Sequence, residues 1–146
     1  MLEEHVEKIL NFEKDKSSFS DNPMKFEMHS WDQSWRKESL EHYSQLGWSF
    51  IAEENGELLG YVLAQPILFF NNWTQTLWVE HLSATSDTVG HTLMDVLIRW
   101  SKSKHLQKVL LNGQKQWHSP VLEGFTDFEE GCFFHKSTTK LVEADS

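Results

Sequence analysis

The strongest constraint on this chain is the order strand, helix, buried strand across residues 74–111. Residues 74–84 read as a strand, with Leu77, Val79 and His81 assigned to one face and Trp78, Glu80 and Leu82 to the other. A helix follows from Asp87 or Thr88 to Ser103, because Val89, Leu93, Val96, Leu97 and Trp100 fall on one stripe and Ser86 or Asp87 can cap its start. Lys108 to Leu111 is a short strand of the buried kind, closed by Asn112-Gly113. A helix between two strands predicts that they run parallel in one sheet.

Upstream of this unit the pattern is antiparallel. Residues 48–53 and 58–63 are two branched and aromatic runs with the hairpin signal Asn55-Gly56 between them. The second run continues to Phe70, and Pro66, which has no N–H to donate, predicts a bend or bulge near it. Asn71 and Asn72 then turn the chain into residues 74–84. Leu2, Val6, Ile9 and Leu10 mark a short amphipathic helix, and the Ser- and Asn-rich stretch ending at Pro23 reads as a loop. A second helix is expected from Asp32, as N-cap, to Leu46, with Trp35, Leu40, Tyr43 and Leu46 as its apolar positions and Gly47 as a left-handed cap. Beyond Gly113 a helix at 119–123 and a strand at 132–139 complete the reading.

These elements predict an α+β fold, a mostly antiparallel mixed sheet flanked by helices, in one domain spanning residues 1–146. Residues 1–47 form its helical part and residues 48–139 its strand-helix-strand core. With no strand ahead of the first helix, a sheet edge stays exposed or is filled by a second copy, so a homodimer is one expected assembly.

Charge and cysteine usage narrow the partners. A net charge of -9 disfavours nucleic acid, and the basic cluster Arg99, Lys102, Lys104 and Lys108 reads as charges gathered about a helix C-terminus. Cys132 is the only cysteine, which excludes an intrachain disulfide and fits a reducing cytoplasm. Its neighbour Phe133 suggests a small buried hydrophobe rather than a nucleophile. No stretch has the length of apolar residues that spans a bilayer, and Glu3, Glu4, Glu7 and Lys8 in the first helix argue against a leader or a membrane anchor. The eight histidines form no ligand set on one element, Cys132 and His135 included, so no metal site is expected.

The local residues resemble those of the GNAT acyltransferases. Glu57-Leu58-Leu59-Gly60-Tyr61-Val62-Leu63-Ala64 resembles the family's third strand, and Leu77 to Ala84 resembles its fourth, with Glu80 where many members carry an acid. Gly124-Phe125 resembles the Gly-Phe pair after the last helix. The likeness implies an N-acyltransferase using acetyl-CoA or another acyl-CoA on a small-molecule or protein amine. It also implies Glu80 as general base, with the cofactor held by Leu82, Ala84, Thr85, Thr88, Val89 and Gly90.

The same comparison marks departures. The family's phosphate loop, Arg or Gln, two residues, Gly, one residue, then Gly or Ala, falls on Thr85, Thr88 and Gly90, of which Gly90 alone matches well. Asp87 in that loop would repel a pyrophosphate while suiting an empty helix start as an N-cap. The family's leaving-group tyrosine falls on Pro120, with His118 and Ser119 as nearby substitutes or plain surface residues. Strand alternation allows only one of Glu80 and His81 to face a cleft. A catalytically silent relative that binds a protein or a small ligand is the alternative. Phe69, Phe70 and Trp73 either wall an acceptor or partner surface or fold back to cap the sheet.

Overall fold

Asn55 and Gly56 adopt φ values of 54° and 81°, the positive pair that a tight two-residue hairpin demands. In the computed structural model, which describes residues 3–17, 20–70, 73–106, 108–112, 125–127 and 133–137, this turn joins β1 (Phe50–Glu54) to β2 (Glu57–Phe70) in antiparallel pairing. β2 in turn pairs antiparallel with β3 (Trp73–Ala84). Helix α4 (Asp87–Ser103) then crosses to β4 (Lys108–Asn112), which runs parallel to β3 from Thr76–Lys108 to Val79–Leu111. β5 (Thr126–Asp127) and β6 (Phe133–Ser137) follow, giving the sheet order β1-β2-β3-β4-β6-β5 among the described residues. The architecture is thus the α+β arrangement expected, an antiparallel meander joined to a parallel strand through one helix.

Each face of the sheet carries its own core. On one face Leu93, Met94, Leu97 and Ile98 of α4 bury against Val62, Val79, Val109 and Leu111, each aliphatic side chain contributing about 2 kcal/mol on removal from water. Val96 belongs to the expected stripe but is 41% exposed; Met94 and Ile98 take the inner positions instead. On the other face Val6 and Ile9 of α1 (Val6–Lys16) and Leu40 and Tyr43 of α3 (Lys37–Leu46) pack on Leu58, Tyr61 and Leu63.

The N-terminal third corrects two expectations. The stretch after Asn22 is the helix α2 (Pro23–Ser30), with Pro23 in its first turn and the Asn22 side chain accepting from Lys25 N–H. Residues 32–36, expected as the start of the second helix, form turns closed by Gln33 N–H to Ser30 O and Arg36 N–H to Gln33 O. Asp32 therefore caps nothing in α3, which begins at Lys37. The cause is tertiary: Trp35 leaves the helical stripe to stack on Phe26 at 5.5 Å, buried beneath the turn. Gly47 does end α3 in the left-handed region, at φ 77° and ψ 16°.

Pro66 lies within a continuous β2, beyond the last residue of that strand paired with β1, so its missing N–H interrupts no β1 ladder. The bulge expected near Pro66 is the register shift of β2 against β3 between Leu63 and Ala64. At Gly60 the strands approach so closely that a Cβ would stand 2.8 Å from Ser83 O and 3.0 Å from Ala84 Cα. The expected helix at 119–123 and the residues Cys132, His118, Ser119, Pro120 and Gly124 lie outside the described residues. So do the side chains of Phe69, Phe70 and Trp73, although Phe70 and Trp73 pair across the β2–β3 hairpin.

Candidate active site

Glu80 owes its place to a β-bulge. Leu63 pairs with His81 and Ala64 with Val79, so Glu80 is the extra residue on β3 and has no partner across the ladder on β2. The bulge resets the alternation: Leu77 and Val79 face the α4 core, and after it Leu82, not His81, packs against that side. His81 lies beside Tyr61 on the opposite face, ring centroids 5.7 Å apart, and Glu80 reaches Ser34 on that same side. The expectation that Glu80 and His81 point to opposite faces is therefore corrected by the inserted residue.

Three donors converge on the Glu80 carboxylate. Trp78 Nε1–H reaches Oε2 at 2.8 Å, Asn112 Nδ2–H reaches Oε2 at 3.2 Å, and Ser34 Oγ–H reaches Oε1 at 3.1 Å. They come from β3, from the end of β4 and from the α2–α3 turn, so the carboxylate ties three segments together. A carboxylate offers about four lone-pair positions. One acceptor position thus remains for an incoming N–H or a bridging water. Burial pushes the Tyr43 hydroxyl up to about 12, and the nearby charge of Glu80 adds to the rise.

An open groove of about 400 Å³ adjoins Glu80, walled by Asp32, Gln33, Ser34, Arg36, Ser39 and Asn112, with Trp31 at its rim. These walls suit a hydrophilic guest. The turn that displaces the expected helix start is what brings Asp32 and Ser34 to it.

On the far side of the bulge the parallel ladder stops. Val79–Leu111 is the last β3–β4 pair among the described residues, and residues 82–84 pair with Val62, Tyr61 and Gly60 on the β2 side. Next to them a cavity of about 300 Å³ opens toward the start of α4. Of the residues expected to hold the cofactor, Leu82, Ala84, Thr85 and Gly90 line it. Thr88 is turned by one helical step into a separate shallow depression shared with His91 and Thr92, and Val89 packs partly buried against the α4 core.

The amides of this loop are largely engaged. Thr85 N–H donates to Leu59 O at 2.8 Å, Val89 N–H to the capping Ser86 Oγ at 3.3 Å and Gly90 N–H to Ser86 O at 3.1 Å. Ser86 is the N-cap and Asp87 the first helical residue, so the capping role allowed for Asp87 falls to its neighbour.

Two groups in the cavity carried no signal in the sequence. Lys16, at the end of α1, donates from Nζ to Ser83 Oγ at 2.6 Å across 67 residues. Glu13, one turn earlier, accepts from the buried Tyr61 hydroxyl at 2.9 Å. Burial, then the Glu13 charge and this hydrogen bond, hold that hydroxyl well above the ordinary tyrosine range. Among the described residues no group of histidine, cysteine and acidic side chains is placed to hold a metal, and no helix is long and apolar enough to cross a membrane.

The class this geometry defines is the GNAT acetyltransferase fold, and solved structures share it. The polyamine N-acetyltransferase of Drosophila melanogaster, which forms N-acetylagmatine, matches with a TM-score of 0.65 and 12% identity over 88% of this chain and 82% of its own. A GNAT family acetyltransferase from Brucella melitensis, solved with acetyl-CoA, gives 0.62 and 14% over 92% and 82%. A crystal structure from Staphylococcus aureus MU50 gives 0.61 and 14% over 95% and 97%. At such identities the likeness is one of fold. In sequence, residues 17–121 match the model of the family described as "Protein of unknown function (DUF1999)", and the chain belongs to that family. No curated protein sequence matches it.

Proposed function

We propose that this protein is an acyl-CoA-dependent N-acyltransferase, a divergent GNAT member with a degenerate phosphate loop, acting on a hydrophilic amine. The observation that carries the reading is the end of the described β3–β4 ladder at Val79–Leu111, beside Glu80. Residues 82–84, paired with β2, lead from there to the cavity at the start of α4, which Leu82, Ser83 and Ala84 line, so one extended thioester ligand fits both ends. Acetyl-CoA, the ligand of the Brucella melitensis neighbour, supplies the acyl group. An amine bound in the groove walled by Asp32, Ser34 and Asn112 would give up a proton to Glu80 as its nitrogen attacked the thioester carbonyl, and breaking of the carbon–sulfur bond would release coenzyme A as a thiolate that takes up a proton from water. A small-molecule amine suits the polar groove, and an exposed protein amine is the other acceptor class. Calorimetry with acetyl-CoA, followed by acetylation assays across a panel of hydrophilic amines, tests the proposal. Binding together with transfer to at least one amine is the expected result.

A specific observation favours a second reading, a silent binding module. The Thr85 and Gly90 amides are already bonded, and Asp87 stands at the loop, so backbone alone recruits a phosphate poorly. Absence of acetyl-CoA binding at millimolar ligand would establish this reading over the first.

A further inference from the structure

We infer that Lys16, on α1, is the residue that neutralises the phosphates of the bound acyl-CoA; the inference rests on the reading above. Among the described residues that line it, the cavity beside β3 has two carboxylates, Glu13 and Asp87, and Lys16 is the one lysine or arginine. A pyrophosphate placed there meets repulsion from both acids, while the Thr85 and Gly90 amides are held by Leu59 O and Ser86 O. A side-chain cation offsets that repulsion where those two amides do not, and α1 brings one.

The position of the ammonium fits that task. Its nitrogen is 2.6 Å from Ser83 Oγ and 5.1 Å from the centroid of the Phe12 ring. An ammonium has three donors, and the bond to Ser83 uses one, so the others remain for phosphate oxygens. By accepting that bond, the Ser83 hydroxyl is left with its own proton to donate. Lys16 and Thr85 also line the neighbouring groove of about 370 Å³ between α1 and the β1–β2 hairpin. The ammonium thus stands where the two cavities meet, and a ligand running along the β3 edge passes it on leaving the sheet.

Competing assignments for Lys16 are weaker. As the last residue of α1 it would suit the negative end of the helix, but its side chain crosses to the sheet instead. A purely structural link to Ser83 is the remaining alternative, and it makes a different prediction.

The test compares acetyl-CoA with phosphate-free S-acetylpantetheine by calorimetry on the full chain. In Lys16→Met, acetyl-CoA should bind about tenfold more weakly, the order of one charge-assisted phosphate contact, with S-acetylpantetheine unchanged. Lys16→Arg should keep most of the affinity. Ser83→Ala, which removes the link but keeps the charge, should stay within about threefold of the parent, below the value of a charge-assisted contact. Melting curves establish that each variant folds. Binding by the parent with Lys16→Met unaffected would overturn the role of Lys16 and leave the acyltransferase reading intact. Equal losses in Lys16→Met and Ser83→Ala would reduce Lys16 to a structural link. Failure of the parent to bind acetyl-CoA would overturn both.

Discussion

Glu80 draws donors from Trp78, Asn112 and Ser34 and also raises the proton affinity of Tyr43, so a change at this one carboxylate has two separable readouts. Glu80→Gln should lower turnover by roughly 100-fold at neutral pH and leave acetyl-CoA affinity nearly unchanged, as loss of a general base does. The same change should lower the pH at which Tyr43 ionises from its position near 12, read from tyrosinate absorbance with Tyr43→Phe to assign the signal. Turnover that survives with the tyrosine signal shifted would confirm the geometry and dismiss the base. At the loop, Asp87→Asn should tighten acetyl-CoA by several-fold in calorimetry, because like charges partly screened near a surface are worth about 1 kcal/mol. Glu80 and Lys16 differ in how far sequence discloses them. Glu80 is visible from its place in a familiar strand. Its bulge is not, since an inserted residue is defined only by the register of the strand opposite, and Lys16 is invisible because its partner is 67 residues away.

At the scale of elements, what sequence discloses is local chemistry. The Asn55-Gly56 hairpin and the Ser86 cap of α4 follow from neighbouring residues, and the structure has them where expected, while the α4 stripe keeps Leu93 and Leu97 but turns Val96 outward. The break between α2 and α3 does not, because the inward turn of Trp35 onto Phe26 is decided by a core that has yet to form when only spacing is read. Two substitutions examine these elements. Gly60→Ala places a methyl group 2.8 Å from Ser83 O, and the backbone must move, costing about 1–3 kcal/mol as overpacking does; a lowered melting temperature is the expected outcome. The shift falls on Ser83 and Ala84, which line the cavity beside β3, so on the proposed reading weaker acetyl-CoA binding should accompany it. Ser86→Ala removes the N-cap of α4 and should cost about 1 kcal/mol, measured by urea denaturation. A fully stable Ser86→Ala would mean that the 3.3 Å contact to Val89 N–H contributes nothing to the helix.

Across the whole molecule the two faces of the sheet differ in kind. The α4 face is packed with aliphatic side chains and the rings of Trp48 and Phe50, whereas the face under α1 and α3 holds Tyr43 and Tyr61 beside Glu80 and Glu13. That asymmetry makes alkaline stability a property of one layer. Both hydroxyls are raised in the folded state, Tyr43 to about 12 and Tyr61 well above its ordinary value, against about 10 in an unfolded chain. Between those values the unfolded chain has released protons that the folded one still binds, so stability is fully present below about pH 10 and falls as pH rises above it. Urea denaturation from pH 8 to 11.5 should therefore show a flat region followed by a decline. Tyr61→Phe should be less stable at neutral pH, having lost the bond to Glu13, by about 1–3 kcal/mol for a buried acceptor left unsatisfied. Its decline above pH 10 should be shallower, because one of the two titrating hydroxyls is gone. An unaltered slope in both Tyr61→Phe and Tyr43→Phe would place the alkaline weakness elsewhere, in the repulsion of a chain of net charge -9, and that origin would be recognised by its suppression at high salt.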